Sequence, residues 1–350
     1  GDAVNLAART ESAAEPGTVL ITEATHKLIA PLFETEALEP AKFKGKTGPV
    51  AVYRLLGSKQ AAVKPRGIGG LASPLVGRQV EFAALGETVA CLQAGVGGIV
   101  TIVGGAGIGK SRLVAELQKQ LPPGLQWVEG RCLSYGGSIA YRLWFDVLRS
   151  LAGVTAESPP TQVRSNLRQR VETLCPEPEE VYPYLARIMS VPLEEESEAK
   201  VRDIEGRELK ARAFRAAATF IEGATQQHPL ALVFEDLHWA DPSSLELLRH
   251  LMELTDRAAL LLVCVFRLHR EHGSWQVREV AARDYPHRHT DVWLQPLSSA
   301  DSERLACNLL QVEGLSPAFR EKVLSVAEGN PFYVEEILRG LIDQGTAIRD

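Results

Sequence analysis

The stretch that decides the fold is GIVTIVGGAGIGKSRLVAELQKQL, residues 98–121. Its opening, Ile99-Val100-Thr101-Ile102-Val103, is β-branched throughout, as expected of a strand buried on both faces of a parallel sheet. Leu113, Val114, Leu117 and Leu121 then recur at helical spacing, so strand gives way to helix across a glycine-rich turn. In that turn Gly104, Gly109, Lys110 and Ser111 satisfy the phosphate-binding signature G-x-x-x-x-G-K-[ST]. Glycines let the backbone adopt conformations closed to bulkier residues, so that successive N–H groups face a phosphate, and the helix adds its positive end. The expected nucleotide contacts are Gly104, Gly105, Ala106, Gly107, Ile108 and Gly109, with Lys110, Ser111 and Arg112 opening the helix. The pattern assigns Lys110 to the β- and γ-phosphates of ATP and the Ser111 hydroxyl to a bridging Mg²⁺. The plainer alternative is a glycine-rich turn that happens to precede Lys-Ser.

The chain has 350 residues, 45% of them hydrophobic, enough for two domains with their own cores. A formal charge of -6 argues against a nucleic-acid surface as the main business of this stretch. The cysteines, Cys91, Cys132, Cys175, Cys264 and Cys307, form no C-x-x-C pair, so they read as thiols of a reducing compartment and suggest the cytoplasm. The longest apolar run, residues 258–266, is half of what a bilayer demands, so no membrane partner is expected. The chain opens on Gly-Asp-Ala-Val-Asn without a Met and reads as a piece of something longer.

Residues 1–13 suggest a helix ended by Pro16-Gly17; residues 18–22 look like a strand and residues 23–32 like a helix. Residues 43–56 suggest a hairpin turning at Lys46-Thr47-Gly48-Pro49. Asn5 and Arg9, four apart, share a helix face, which by spacing alone is no more than a polar surface. The string GDAVNLAARTESAAEPGTVLITEATHKL, with the later KFKGKTGPVAVYRLLG, resembles the C-terminal portion of class III adenylate and guanylate cyclase domains. That resemblance implies that Asn5 orients the ribose and Arg9 neutralises charge on the triphosphate as the 3′-hydroxyl attacks the α-phosphate. It also places the family's metal-binding aspartates before Gly1, so the cyclase site is expected to be partial, completed by a second cyclase domain in a homodimer. Residues 58–73, rich in Gly, Ser, Pro and Lys, read as a linker.

Further on, Leu230-Ala-Leu-Val-Phe-Glu-Asp-Leu-His-Trp-Ala-Asp241 is an apolar strand ending in adjacent acids, Glu235 and Asp236. Acids at a strand end are commonly a solvated terminus. At the edge of a nucleotide-binding sheet one carboxylate can hold the Mg²⁺ shell and another can polarise the attacking water, with the division between the two left open. Asp241-Pro242 caps the next helix. Residues 205–227 carry a helical apolar stripe, and the acidic, proline-broken stretch 177–202 suggests surface loop or short helices. Residues 258–266 read as another core strand with Arg267 at its end, which could simply be an exposed, snorkelling side chain.

Residues 74–350 resemble the STAND group of signal-transduction ATPases, on five elements in order: Gly77-Arg78, Gly104 to Ser111, Glu235-Asp236, Arg267 and Gly329-Asn330-Pro331. The resemblance implies that adenine packs near Gly77 and Arg78, that Arg267 meets the γ-phosphate, and that Pro331 contacts the base from a helical lid. Ser111, Glu235 and Asp236 are then the candidate metal ligands. The expected organisation is a partial α+β cyclase domain over 1–57, a linker over 58–73, an α/β parallel-sheet P-loop core over 74–295, and a helical lid over 296–350, with winged-helix and helical-repeat domains beyond. The function implied is an ATPase that regulates an attached cyclase and turns over slowly. The alternatives are an ATP-dependent transcription regulator of the same group and a nucleotide-binding scaffold.

Overall fold

The computed structural model describes residues 2–15, 17–30, 33–41, 48–58, 73–132 and 140–343. The chain divides into two compact units, Gly1–Ala72 and Ser73–Asp350. The first unit contains α1 (Asp2–Ser12), β1 (Leu20–Thr22), α2 (Glu23–Ile29), β2 (Phe33–Ala37) and β3 (Val52–Ser58). Its sheet runs β1-β3-β2, antiparallel throughout. The expected hairpin over 43–56 is corrected here: β3 pairs with β2, helped by a bridge between Ala41 and Val50, while residues 42–47 of the expected turn lie outside the described residues. Strand β2 escaped the sequence reading because FETEA exposes its glutamates and leaves Phe33 and Thr35 only half-buried. The expected linker lies outside the described residues from 59 to 72.

The second unit is built on five parallel strands. After α3 (Gln79–Gln93) come β4 (Gly98–Gly104), α4 (Lys110–Lys119) and β5 (Gln126–Arg131). A helical insertion follows: α5 (Arg142–Leu151), α6 (Pro160–Leu174), α7 (Pro178–Ile188), α8 (Glu195–Arg202) and the long α9 (Gly206–Gln227). Then β6 (Leu230–Glu235), α10 (Pro242–Leu251), β7 (Leu260–Phe266), α11 (Gly273–Asp284) and β8 (His289–Leu294) complete the sheet in the order β5-β6-β7-β4-β8. Strands β6 and β7 are buried along their whole length, which is why they read as unbroken apolar runs. Alternate residues feed the two faces: Ile99, Phe234 and Leu262 pack beneath α5, α9 and α10, while Val100, Val233 and Val263 pack against α3 and α4. Each such side chain contributes about 1.5–3 kcal/mol relative to exposure.

Of the two readings open for 177–202, surface loop or short helices, the structure takes the second, as α7 and α8. Helix α7 is largely buried, through Val181, Tyr182, Tyr184, Leu185 and Ile188, and its acids, Glu179 and Glu180, are confined to the first turn. Strand β8 was invisible as a strand because it begins His289-Thr290-Asp291. Those polar residues are satisfied sideways. The Oγ1 of fully buried Thr101 on β4 donates to Asp291 at 2.7 Å and stands 2.8 Å from His289 Nε2, and Arg278 of α11 donates to the other carboxylate oxygen at 2.9 Å.

The C-terminal helices are α12 (Ser299–Leu310), α13 (Pro317–Ala327) and α14 (Pro331–Asp343), packed through Leu305, Leu309, Val323, Val334 and Leu338. Ser298 caps α12 by accepting from the Asp301 amide at 3.0 Å. All five cysteines are free. Among the described residues no helix is long and apolar enough to cross a membrane.

Candidate nucleotide site

The loop from Gly104 to Gly109 leaves the C-terminal end of β4, the strand at which a parallel sheet of this order offers a crevice. Gly107 and Gly109 take φ values of +72° and +101°, so both positions need glycine for the turn itself. At Gly104 the demand is for space: a Cβ there would stand 2.8 Å from the Ile108 side chain.

Every carbonyl from Gly104 to Ile108 has a donor, and those of Ala106, Gly107 and Ile108 are held from distant segments. Lys110 Nζ donates to Gly104 O at 2.8 Å and to Gly105 O at 2.7 Å. Asn330 Nδ2 donates to Ala106 O at 3.0 Å, the Phe332 amide donates to Gly107 O at 3.3 Å, and Arg78 donates to Ile108 O at 3.2 Å. None of the amides of residues 105–109, by contrast, donates to an acceptor among the described residues. Carbonyls engaged by donors and amides left open are what an anion cradle requires. The residues present therefore fit a nucleotide's phosphates.

The charges converge on the same edge. Lys110 is buried, and its ammonium is pushed down to about 8, first by that burial and then by Arg267, while Asp236 and Glu235 pull the other way. One short strand, β7, separates β4 from β6, so Arg267 just past its end joins the lysine of one loop to the acids of the other. Lys110 is folded onto its own loop through Gly104 O and Gly105 O. Ser111 is half-buried in the first turn of α4. Glu235 is buried and accepts from Arg131 at 2.8 Å. Asp236 is half-buried, in the left-handed region at φ +57°, and its carboxylate makes no hydrogen bond or ion pair among the described residues. Among the described residues no group of His, Cys, Asp and Glu forms a ready metal cage.

Other candidate residues have their own partners. Arg78 is buried and donates to Glu81, to Ile108 O and, at 2.6 Å, to Gln295 O, which makes it a brace between the segment before α3, the phosphate loop and the chain after β8. Gly77, at φ +67°, lies so close to Asp301 of α12 that a Cβ would come within 2.8 Å. Arg112 donates to Ser73 O at 2.7 Å and pairs with Glu116. Asp241 is a cap, accepting from the Ser244 amide at 2.9 Å. Asn5 and Arg9 both lie on α1, in the other unit.

A cavity of about 340 Å³ opens at the loop, lined by Gly104, Gly105, Trp293, Pro296, Asn330 and Tyr333 among others. Pro331 is half-buried at the first position of α14 and is not among the lining residues; Asn330 and Tyr333 are. A second cavity, about 500 Å³, includes Lys210, Phe214 and His250 and none of the site residues. Sequence reading also passed over His238, whose neighbour Asp236 drew the attention. Its ring is buried, held neutral with its pKa pushed down to about 4 by that burial and then by Arg267 and Lys110, and neither nitrogen has a hydrogen-bond partner among the described residues. The signal was available: a histidine between the acids and a tryptophan in a chain with only eight histidines.

Residues 74–263, more than half of the chain, match the AAA ATPase domain family. The chain belongs to that family. Residues 1–57 match the adenylate and guanylate cyclase catalytic domain, and residues 298–349 match a domain of unknown function. An uncharacterized protein of Rhizobium meliloti is 27% identical over 343 residues, covering 96% of this chain and 32% of that protein. The chain thus spans about a third of the length of the curated relative it matches. Among solved structures, Drosophila ORC bound to DNA is similar at 17% identity with a TM-score of 0.45, covering 89% of this chain and 67% of the other. The Walker-type ATPase PABY2304 of Pyrococcus abyssi gives 13% and 0.39, covering 77% and 69%, and Cdc6p from Pyrobaculum aerophilum gives 13% and 0.44, covering 79% and 64%. The AAA ATPase is therefore a P-loop α/β core joined in one chain to the C-terminal part of a cyclase domain.

Proposed function

We propose that residues 73–350 bind Mg-ATP at the Gly104 to Ser111 loop and act as a STAND-type switch that regulates an attached class III cyclase in the cytoplasm. The observation that carries the nucleotide reading is the loop itself, with each carbonyl from Gly104 to Ile108 engaged by a donor and its amides open. The Ser111 hydroxyl and one of the acids, Glu235 or Asp236, are suited to the magnesium shell, and the other acid to the attacking water. Bound Mg²⁺ supplies charge neutralisation along the triphosphate. Lys110 and Arg267 supply the protein's own positive charge, and Lys110 must exchange its two carbonyl partners for phosphate oxygens. Sites of this kind without an arginine from a partner turn over at roughly 10⁻⁴ to 10⁻² per second, which suits a switch. The regulatory reading rests on the cyclase match at residues 1–57 in the same chain. A second cyclase domain and further winged-helix and repeat domains belong to this reading of the longer protein.

The test is thermal unfolding with and without Mg-ATP, for the native chain and for Lys110→Ala. Ligand at about 100 times its dissociation constant stabilises the native chain by roughly 2.7 kcal/mol. The variant is expected to show little of that gain, and an equal shift in both proteins would overturn the assignment.

A further inference from the structure

We propose that Asn330 is the positioning residue through which the phosphate loop and the C-terminal helices read one another's state. The proposal rests on the nucleotide reading above and concerns how nucleoside triphosphate binding at that loop reaches the lid. Asn330 stands just before α14 and uses its two side-chain atoms for different purposes. Its Oδ1 accepts from the Phe332 amide at 3.1 Å, which caps the helix, and its Nδ2 donates to Ala106 O, which holds the phosphate loop. The Phe332 amide also reaches Gly107 O. Two consecutive loop carbonyls are thereby set by one turn of the lid, over 220 residues away in sequence. The steric fit supports the contact: a Cβ at Gly107 would come within 2.7 Å of Phe332 Cβ. From behind, Gly329, at φ +75°, accepts from the Leu297 amide at 2.7 Å, and a Cβ there would meet Leu297 O at 2.4 Å. The capping turn is therefore wedged between the chain after β8 and the loop.

A helix cap needs only the acceptor atom, and aspartate caps as well as asparagine does. The donated hydrogen bond to Ala106 is an addition that capping leaves unexplained. Without it the Ala106 carbonyl loses its anchor, and the adjoining amides lose the alignment that an anion requires. By reciprocity of linkage, a phosphate that holds the amides inward also holds the carbonyls outward toward Asn330, and so tightens the lid.

The two roles separate in the variants Asn330→Asp and Asn330→Ala of the full chain. Asp keeps the cap and cannot donate to Ala106 O; Ala loses both. Asn330→Asp is expected to unfold at a temperature no lower than the native chain, yet to bind Mg-ATP about tenfold more weakly and to show faster amide hydrogen exchange at residues 105–109. Mg-ATP should slow exchange along α13 and α14 in the native chain and do so less in Asn330→Asp. Asn330→Ala should share the weakened binding and also unfold earlier. Native affinity and native loop exchange in Asn330→Asp would overturn the proposal. Failure of the native chain to bind Mg-ATP would instead overturn the nucleotide reading. Loop exchange without ligand still decides this contact in that case: faster in Asn330→Asp upholds it and unchanged rejects it.

Discussion

The two units of this chain meet the problem of burying a sheet in opposite ways. In the second, the central strands β4, β6 and β7 are enclosed by helices on both faces, and nearly every side chain in them is out of water. In the first, β1 is half-buried along its length, β2 alternates half-buried and exposed residues, and Val52 is the one apolar side chain of the described residues in the unit that is fully buried. Among the described residues, three short antiparallel strands with two helices bury little apolar area. The difference teaches where each unit's stability comes from: the ATPase sheet carries an extensive core, and the described residues of the first unit bury little apolar surface.

The largest effect that could break this comparison is a core deletion. Leu262→Ala, in the middle of β7, is expected to destabilise the second unit by about 4 kcal/mol, since its neighbours on both sides are strands that cannot collapse into the gap. Leu20→Ala on β1 should cost less than about 1 kcal/mol. Urea unfolding of the two variants measures both, and amide exchange should be faster at residues 20–22 than along β7. Equal losses would show that the first unit has a core of comparable strength.

Arg78→Ala is next in size. It removes a buried guanidinium that serves Glu81 and the carbonyls of Ile108 and Gln295, so a loss of about 3 kcal/mol is expected, together with weaker Mg-ATP binding. Lysine at this position should restore only part, because an ammonium cannot span the three acceptors in one plane. A stability change confined to within 0.5 kcal/mol of zero, by the same urea assay, would remove Arg78 from the bracing role.

The smallest effect is a pH dependence at the sheet edge. Burial pushes the Asp291 carboxyl up, but hydrogen bonds from Arg278, Thr101 and Trp293 outweigh it and hold it below the ordinary value of 3.8. Because the folded value is depressed, its stabilising contribution is present above about pH 4 and is lost as pH falls through the lower, folded value. The stability difference between the native chain and Asp291→Asn should therefore shrink as the medium is acidified below pH 4, and a difference that stays constant down to pH 2 would count against the network.

How much of this could be read in advance differs from element to element. Strands β4, β6 and β7 were legible because a strand buried on both faces is apolar at nearly every position, Thr101 and the terminal Glu235 excepted, and α9 because its stripe repeats at helical spacing. Strand β8 was not, since its polar residues are paid for by Thr101 and Arg278, which are far away in sequence. That α7 is buried was hidden by the acids at its start, which say nothing about the apolar face after them.

The sequence by itself determined the phosphate loop, because a tight turn, a strand before it and a helix after it are local properties of residues 98–121. It determined as well that acids end one strand and an arginine ends another. Only the tertiary structure decided that these three ends stand side by side, since the order β6-β7-β4 is set by pairing and not by succession along the chain. It alone decided that Arg78, Lys110, Asn330 and Phe332 divide the loop's carbonyls among them, because a hydrogen bond between segments 30 or 224 residues apart leaves no period in either.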